Sequence, residues 1–418
     1  MRVTISKSRI DCTVHAPSSK SYTIRGLMCA ALAIGESRLN NPLVSDDTEA
    51  AVNVLGKVGV NIDRNNDSWL ISGGRLKAPG CELYCSDSAA TLRFMAAICS
   101  IIPGECRLKP GPSLALRPVA PLLEALRQLG VKCRIENNLV VVDGHSYKGG
   151  VAVLPGDISS QFTSALMLVG PLSDKGINVK LSTLPVSLPY LMMTIDCMSQ
   201  FGVRVNYNPA FTGFSIPRQN YKPASFMIEG DWSSASYLLA LGATCGRLTV
   251  TGLNTDSFQS DKIMLNLLSN MGADVNICSD TVTVSQSGLR GLVADFTHCI
   301  DLLPTMAILA ATAKGTSVFN GIAKARLKES NRVLSVKDGL TRMGIEILEE
   351  ENKLTITGGK LKGAIIDSHN DHRIAMAFGI AGIIAGETTV ENADCVNKTY
   401  PRFWQDLKCL GGKVKIDV

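Results

Sequence analysis

The chain has 418 residues, 45% of them hydrophobic and 5% aromatic, with a net charge of +5 and no run of lysine or arginine. That is more apolar material than one domain usually holds, so two domains are expected; charge so evenly spread excludes nucleic acid as the main partner and leaves small acidic substrates open. The 13 cysteines are scattered without a Cys-x-x-Cys pair, which reads as reduced core thiols in a cytoplasmic protein with no zinc site. Residues 1–9 lack an apolar leader segment and the apolar run 374–386 is too short to span a bilayer, so a soluble, unexported chain without membrane contact is expected.

In chain order, the first informative stretch is Pro17-Ser18-Ser19, a stop-and-cap signal followed by an apolar helix body over 27–33, so a helix is expected to begin near Ser19. Lys20, Ser21 and Arg25 then lie in or near its first turn, where Ser21 and Arg25 share a face and the free backbone N–H groups point the same way. Cations there oppose the helix dipole unless a negative ligand arrives, so the stretch reads as an anion site, with a solvated basic turn as the alternative.

A pattern of Leu or Met, an apolar residue, Gly and a strand returns at Gly59, Gly130, Gly202, Gly272, Gly344 and Gly411, a period of about seventy residues. Polar turns at 65–67, 137–138, 279–280 and 351–352 introduce alternating strands such as 139–142 and 281–284. Each repeat reads βαβαββ. The helix starts repeat too: Gly156-Asp157-Ile158-Ser159-Ser160 matches Gly230-Asp231-Trp232-Ser233-Ser234, and Ser18-Ser19, Asp87-Ser88, Asp301 and Asn370-Asp371 fall in equivalent places. Three repeats per half give two similar α/β domains whose capped, buried helices face one cleft. Ordinary N-caps account for the Ser and Asp residues but not for Lys20, Arg25, Arg93 and Arg373 beside them.

Further cations lie near expected helix starts. Arg373 opens a helix almost free of polar side chains, and its fork suits a carboxylate or phosphate, with a structural ion pair to Asp371 as the alternative; His372 reads as a structural residue. Lys328 and Arg332 are four apart around Glu329, and Arg117 and Lys398 stand just ahead of Pro118 and Pro401. Should these meet in one cleft, it would hold more than two negative charges. Asp301 and Glu329 are the acid/base carboxylates among them, with pKa values that the cations depress unless burial opposes. The chain shows no Ser-His-Asp set, P-loop, dinucleotide fingerprint or metal-ligand cluster.

Pro-Ser-Ser-Lys-Ser with Arg25, Ser159-Ser160-Gln161, Leu-Lys-Glu-Ser-Asn-Arg over 327–332, Asn-Asp-His-Arg over 370–373 and Lys398-Thr399-Tyr400-Pro401 resemble the family of 5-enolpyruvylshikimate-3-phosphate synthases, the 3-phosphoshikimate 1-carboxyvinyltransferases. The resemblance runs in order over essentially the whole chain. It implies two domains of three βαβαββ repeats each (an inverse α/β barrel), residues 21–228 forming one and 1–20 plus 229–418 the other, with the active site in the cleft between them. It implies transfer of the enolpyruvyl group of phosphoenolpyruvate to the 5-hydroxyl of shikimate 3-phosphate with release of phosphate, by a monomer needing no metal or organic cofactor. Shikimate 3-phosphate would be held by Lys20, Ser21, Arg25, Ser159, Ser160, Gln161, Ser187, Asp301 and Lys328, and phosphoenolpyruvate by Lys20, Ala89, Arg117, Gln161, Arg332, Arg373 and Lys398. Asp301, Glu329, Lys20 and Lys398 would be catalytic. The chain departs from the family where Asn-x-Gly-Thr is usual, having Asp87-Ser88-Ala89-Ala90, and has Lys324 where Asn is common. The added methyl at Ala89 implies weak inhibition by glyphosate, and Asp87 a negative charge near an anionic ligand. A related UDP-N-acetylglucosamine enolpyruvyl transferase would need a Cys near Ser113, and 111–117 has none; a silent phosphometabolite-binding protein is the rival of another class.

Overall fold

The computed structural model describes residues 1–65 and 67–417; Asn66, expected within the turn at 65–67, lies outside them. The chain divides into two compact units, Ser18–Ile228 and Met1–Pro17 with Glu229–Val418. Among the described residues each contains three four-stranded sheets.

In the unit Ser18–Ile228 the helices are α1 (Lys20–Leu32), α2 (Asp46–Lys57), α3 (Ala89–Ile98), α4 (Ala120–Gln128), α5 (Ser160–Val169) and α6 (Leu188–Gln200). α1, α3 and α5 are rich in Ala, Leu and Met and buried nearly all round, whereas α4 buries only Leu122, Leu123, Ala125 and Leu126. A helix apolar on every side can satisfy itself only in an interior, and α3 accordingly packs on both α1 and α5. Each sheet joins a parallel pair to an antiparallel hairpin. Leu83–Tyr84 runs parallel to Glu105–Lys109, which pairs with Leu139–Asp143, which pairs with Lys132–Glu136. In the first repeat the parallel partner of Gly35–Asn40 is Ser225–Met227, from the far end of the unit.

The other unit carries α7 (Trp232–Cys245), α8 (Met264–Asn270), α9 (Leu303–Thr312), α10 (Arg332–Arg342), α11 (His372–Ala385) and α12 (Phe403–Cys409). Its inner helices α7, α9 and α11 pack on one another. The strand Ile10–His15 pairs in parallel with Gly246–Thr251, and Arg2–Ser6 lies between Thr388–Glu391 and Lys413–Asp417. The strand that precedes α1 in sequence thus belongs to this unit, while the strand that precedes α7 belongs to the other. A parallel pair needs a crossover; the other repeats make it through their inner helix, whereas the first repeat of each unit takes its parallel strand from a distant part of the chain.

The six repeat glycines all adopt left-handed backbone, with φ between 78° at Gly202 and 99° at Gly411, which ends each outer helix and turns the chain into the next strand. Two helix starts differ from the expected positions. A 3₁₀ turn over Ile300–Leu302 makes Leu302, not Asp301, the cap of α9, and α10 begins at Arg332 behind Asn331 after a separate 3₁₀ turn at Ala323–Leu327.

Inside α10, a Cβ on Gly339 would sit 2.2 Å from the Phe378 ring of α11, whereas one on Gly56 in α2 meets nothing within 4 Å. We expect Gly339→Ala to cost about 1–3 kcal/mol by overpacking, and Gly56→Ala to add about 0.4–1 kcal/mol. Urea titration of the two variants checks both signs.

Candidate active site

The expected site residues divide between the units: Lys20, Ser21, Arg25, Ala89, Arg117, Ser159, Ser160, Gln161 and Ser187 in Ser18–Ile228, and Asp301, Lys328, Glu329, Arg332, Arg373 and Lys398 in the other.

In the first unit the inner helices begin with short polar caps. Ser19 accepts from the Tyr22 N–H at 3.4 Å and Ser159 from the Gln161 N–H at 3.3 Å. Lys20, first in α1, pairs with Asp47 of α2 at 2.9 Å. Arg25, one turn on, is buried: Nε donates to Thr194 Oγ1 (2.8 Å), Nη1 to the Ser21 carbonyl (3.1 Å) and Nη2 to the Tyr190 carbonyl (3.3 Å), with the guanidinium over the Phe94 and Tyr190 rings. Burial lowers its pKa. A buried cation bonded to neutral oxygens keeps its field for an anion. Ser187, cap of α6, holds a left-handed backbone (φ 54°) that costs a non-glycine residue energy, a conformation common where function constrains the chain.

Arg93 joins the rest of this half. Nη1 donates to Gln161 Oε1 (2.7 Å) and Ser159 Oγ (3.3 Å), Nη2 donates to the Pro118 carbonyl (2.9 Å), and the guanidinium lies 4.9 Å from the Phe162 ring centre. The sequence marks Arg93 as a cation by a helix start but does not reveal that it ties Ser159 and Gln161 to the segment carrying Arg117. Arg117 follows a 3₁₀ turn at Leu114–Leu116, three residues short of α4, so it lies ahead of that helix and not in it. Ala89 is the first residue of α3. Asp87 accepts the Leu114 N–H at 2.9 Å, so this carboxylate is bonded to protein backbone, a partner the sequence did not foretell.

The second half is centred on Arg332, first in α10 and 1% exposed. Nε donates to Asp371 Oδ2 (2.8 Å), Nη1 to Asp301 Oδ1 (2.7 Å) and Nη2 to Glu329 Oε2 (2.7 Å). Asp301 also receives Lys328 at 3.2 Å on Oδ1 and Arg373 at 3.0 Å on Oδ2, and Lys398 lies 3.8 Å from Glu329. The Arg373 side chain therefore reaches Asp301; Asp371 takes its backbone N–H at 3.0 Å as the cap of α11 and gives its charge to Arg332. Lys398 ends a 3₁₀ turn at Ala393–Lys398, and α12 starts only at Phe403. His372 is buried at the start of α11.

Burial pushes the Asp301 carboxyl up, but Arg373, Lys328 and Arg332 outweigh it and hold it well below the usual range against Glu329. Burial likewise opposes the charge on Arg332, and Asp371, Glu329 and Asp301 more than restore it. Asp261, which accepts from the hydroxyls of Ser233 and Ser260, shows the opposite balance: burial and then Asp301 push it up to about 6, against Arg373 and the two serines. No signal in the sequence singled it out. Among the described residues no group of three or more His, Cys, Asp or Glu is placed to hold a metal ion, and no helix is long and apolar enough to cross a membrane.

Because the native Asp261 carboxyl binds its proton more tightly than an unfolded one (about 3.9), its contribution to stability is complete below pH 4 and is lost as pH rises through about 6. Relative to wild type, Asp261→Asn should therefore gain stability between pH 4 and pH 7. Chemical denaturation at both pH values reads this, and an unchanged difference would show that Asp261 ionises normally.

A family profile described as EPSP synthase (3-phosphoshikimate 1-carboxyvinyltransferase) matches residues 5–407. A 3-phosphoshikimate 1-carboxyvinyltransferase of Dehalococcoides mccartyi is 49% identical, with 100% of each chain covered, and one of Methanospirillum hungatei is 37% identical over 94% of each. The solved EPSP synthase of Acinetobacter baumannii superposes with a TM-score of 0.84 at 24% identity, covering 99% of this chain and 100% of that one. The enolpyruvyl transferase NikO of Streptomyces tendae gives 0.80 at 18%, covering 99% and 98%. Those two share the inverse-barrel fold of two three-repeat domains, while the long, more identical matches carry the family: the chain belongs to the EPSP synthases, the 3-phosphoshikimate 1-carboxyvinyltransferases, and is a transferase.

Proposed function

We propose that the chain transfers the enolpyruvyl group of phosphoenolpyruvate to the 5-hydroxyl of shikimate 3-phosphate and releases phosphate, as a cytoplasmic monomer of the shikimate pathway, the route to chorismate and aromatic amino acids. The observation that carries this reading is the set of cations around a carboxylate kept ionised: Arg332, Arg373 and Lys328 on Asp301. Two substrates that each carry a carboxylate and a phosphate need such cations, and a proton must leave the attacking hydroxyl.

Shikimate 3-phosphate is assigned to Lys20, Ser21, Arg25, Ser159, Ser160, Gln161, Ser187, Asp301 and Lys328, supported by the buried, neutrally bonded Arg25 beside Ser21. Phosphoenolpyruvate is assigned to Lys20, Ala89, Arg117, Gln161, Arg332, Arg373 and Lys398. In the addition step the 5-oxygen bonds to C2 of phosphoenolpyruvate, its proton passes to Asp301, and the methylene carbon takes a proton from the Glu329–Lys398 pair, whose ammonium supplies it. In the elimination the new methyl group returns that proton to the pair, the C2 to phosphate-oxygen bond breaks, and the departing phosphate near Lys20 takes the hydroxyl's proton back from Asp301, so each group ends as it began. Asp301 is a weak base while three cations hold it, so anionic substrates that draw Arg332 and Arg373 toward themselves would strengthen it. Ser113, where a UDP-N-acetylglucosamine enolpyruvyl transferase needs Cys, precedes the Leu114–Leu116 turn with a hydroxyl instead.

A coupled phosphate-release assay should give turnover only with both substrates, and none with UDP-N-acetylglucosamine in place of shikimate 3-phosphate; no release with both substrates would leave a binding protein. Asp301→Asn, which keeps oxygen and shape, should lower kcat by about 10²–10⁴. Near-normal kcat in that variant would falsify the assignment. Asp301→Ala is the poorer test, because it also strips a partner from Arg332, Arg373 and Lys328.

A further inference from the structure

Two short segments of the unit Ser18–Ile228 are laced together at the mouth of α3. The Cys85 N–H donates to the Lys109 carbonyl (2.8 Å) and the Gly111 N–H to the Ser86 carbonyl (2.7 Å), with Ser86 in left-handed backbone at φ 50°. Beyond them the turn Leu114–Leu116 buries Leu114 but leaves Leu116 89% exposed, so packing holds it at one residue only. Its remaining restraint is polar. Asp87 Oδ1 accepts the Leu114 N–H at 2.9 Å, and Arg93 Nη2 donates to the Pro118 carbonyl at 2.9 Å, one residue to either side of the Ala115–Arg117 stretch. A Cβ on Gly111 would lie 2.7 Å from Asp87 Oδ1, so this approach requires glycine there.

We propose that Asp87 is a positioning residue: its carboxylate pins the start of the segment that Arg93 pins at the end, and so fixes where Arg117 presents its guanidinium. This rests on the reading of Arg117 as a phosphoenolpyruvate ligand. The Leu114 N–H needs only an acceptor oxygen, so an amide at position 87 can make the same bond.

The test uses the full chain. A partly buried bond of this kind contributes about 1 kcal/mol, so Asp87→Ala should raise the KM for phosphoenolpyruvate about fivefold, with kcat and the KM for shikimate 3-phosphate little changed. Asp87→Asn should stay near wild type, and Gly111→Ala, which pushes the two groups apart, should reproduce the alanine phenotype. Hydrogen exchange over 110–118 reads the brace without turnover: the Leu114 amide should exchange faster in Asp87→Ala and stay protected in Asp87→Asn. Unchanged exchange and KM in Asp87→Ala, or an Asn variant as impaired as Ala, overturns the proposal. A wild-type chain that releases no phosphate while the exchange pattern holds overturns the reading of function instead.

Discussion

The second unit depends on one buried guanidinium. Arg332 is out of water and could not remain so alone, because an unpaired charge in an apolar interior costs several kcal/mol. Three carboxylates meet its donors, and each comes from a different piece of chain: the turn before α9, the turn before α10 and the cap of α11. One side chain thereby sets three helix mouths in register. Its pKa rises while that of Asp301 falls, so both stay charged throughout the range in which an enzyme works.

The first unit solves the same problem with different chemistry. Arg25 meets Thr194 and two carbonyls, Arg93 meets Ser159, Gln161 and Pro118, and both lie over aromatic rings. Neutral oxygens and ring faces orient a guanidinium without cancelling its charge. In the first unit Arg25 is thus bonded to neutral groups while Lys20 is paired with Asp47, and the second unit carries a cation–carboxylate lattice around Arg332.

Much of this was legible in the sequence because it is periodic. The glycines at about seventy-residue spacing, the apolar helix bodies and the Ser and Asp caps all mark local events, and Ser19, Ser159, Asp231 and Asp371 do cap helices. The partners of the site residues were not legible, because partnership is a long-range property. Nothing local says that Lys20 meets Asp47, that Arg373 reaches past the adjacent Asp371 to Asp301, or that Asp261 is enclosed with two serines. At α9 the 3₁₀ turn Ile300-Asp301-Leu302 carries the Asp that reads as an N-cap, so the sequence signal came one residue early.

The central claim, that Arg332 and its carboxylates form one interdependent lattice, is tested most directly by a double-mutant cycle on Arg332→Met and Asp371→Leu, read by urea denaturation. Arg332→Met strands three carboxylates, and Asp371→Leu leaves Arg332 one carboxylate short and α11 uncapped, so each should cost about 3–5 kcal/mol, while the two together should cost clearly less than the sum of the singles. Strict additivity of the two costs would contradict the claim.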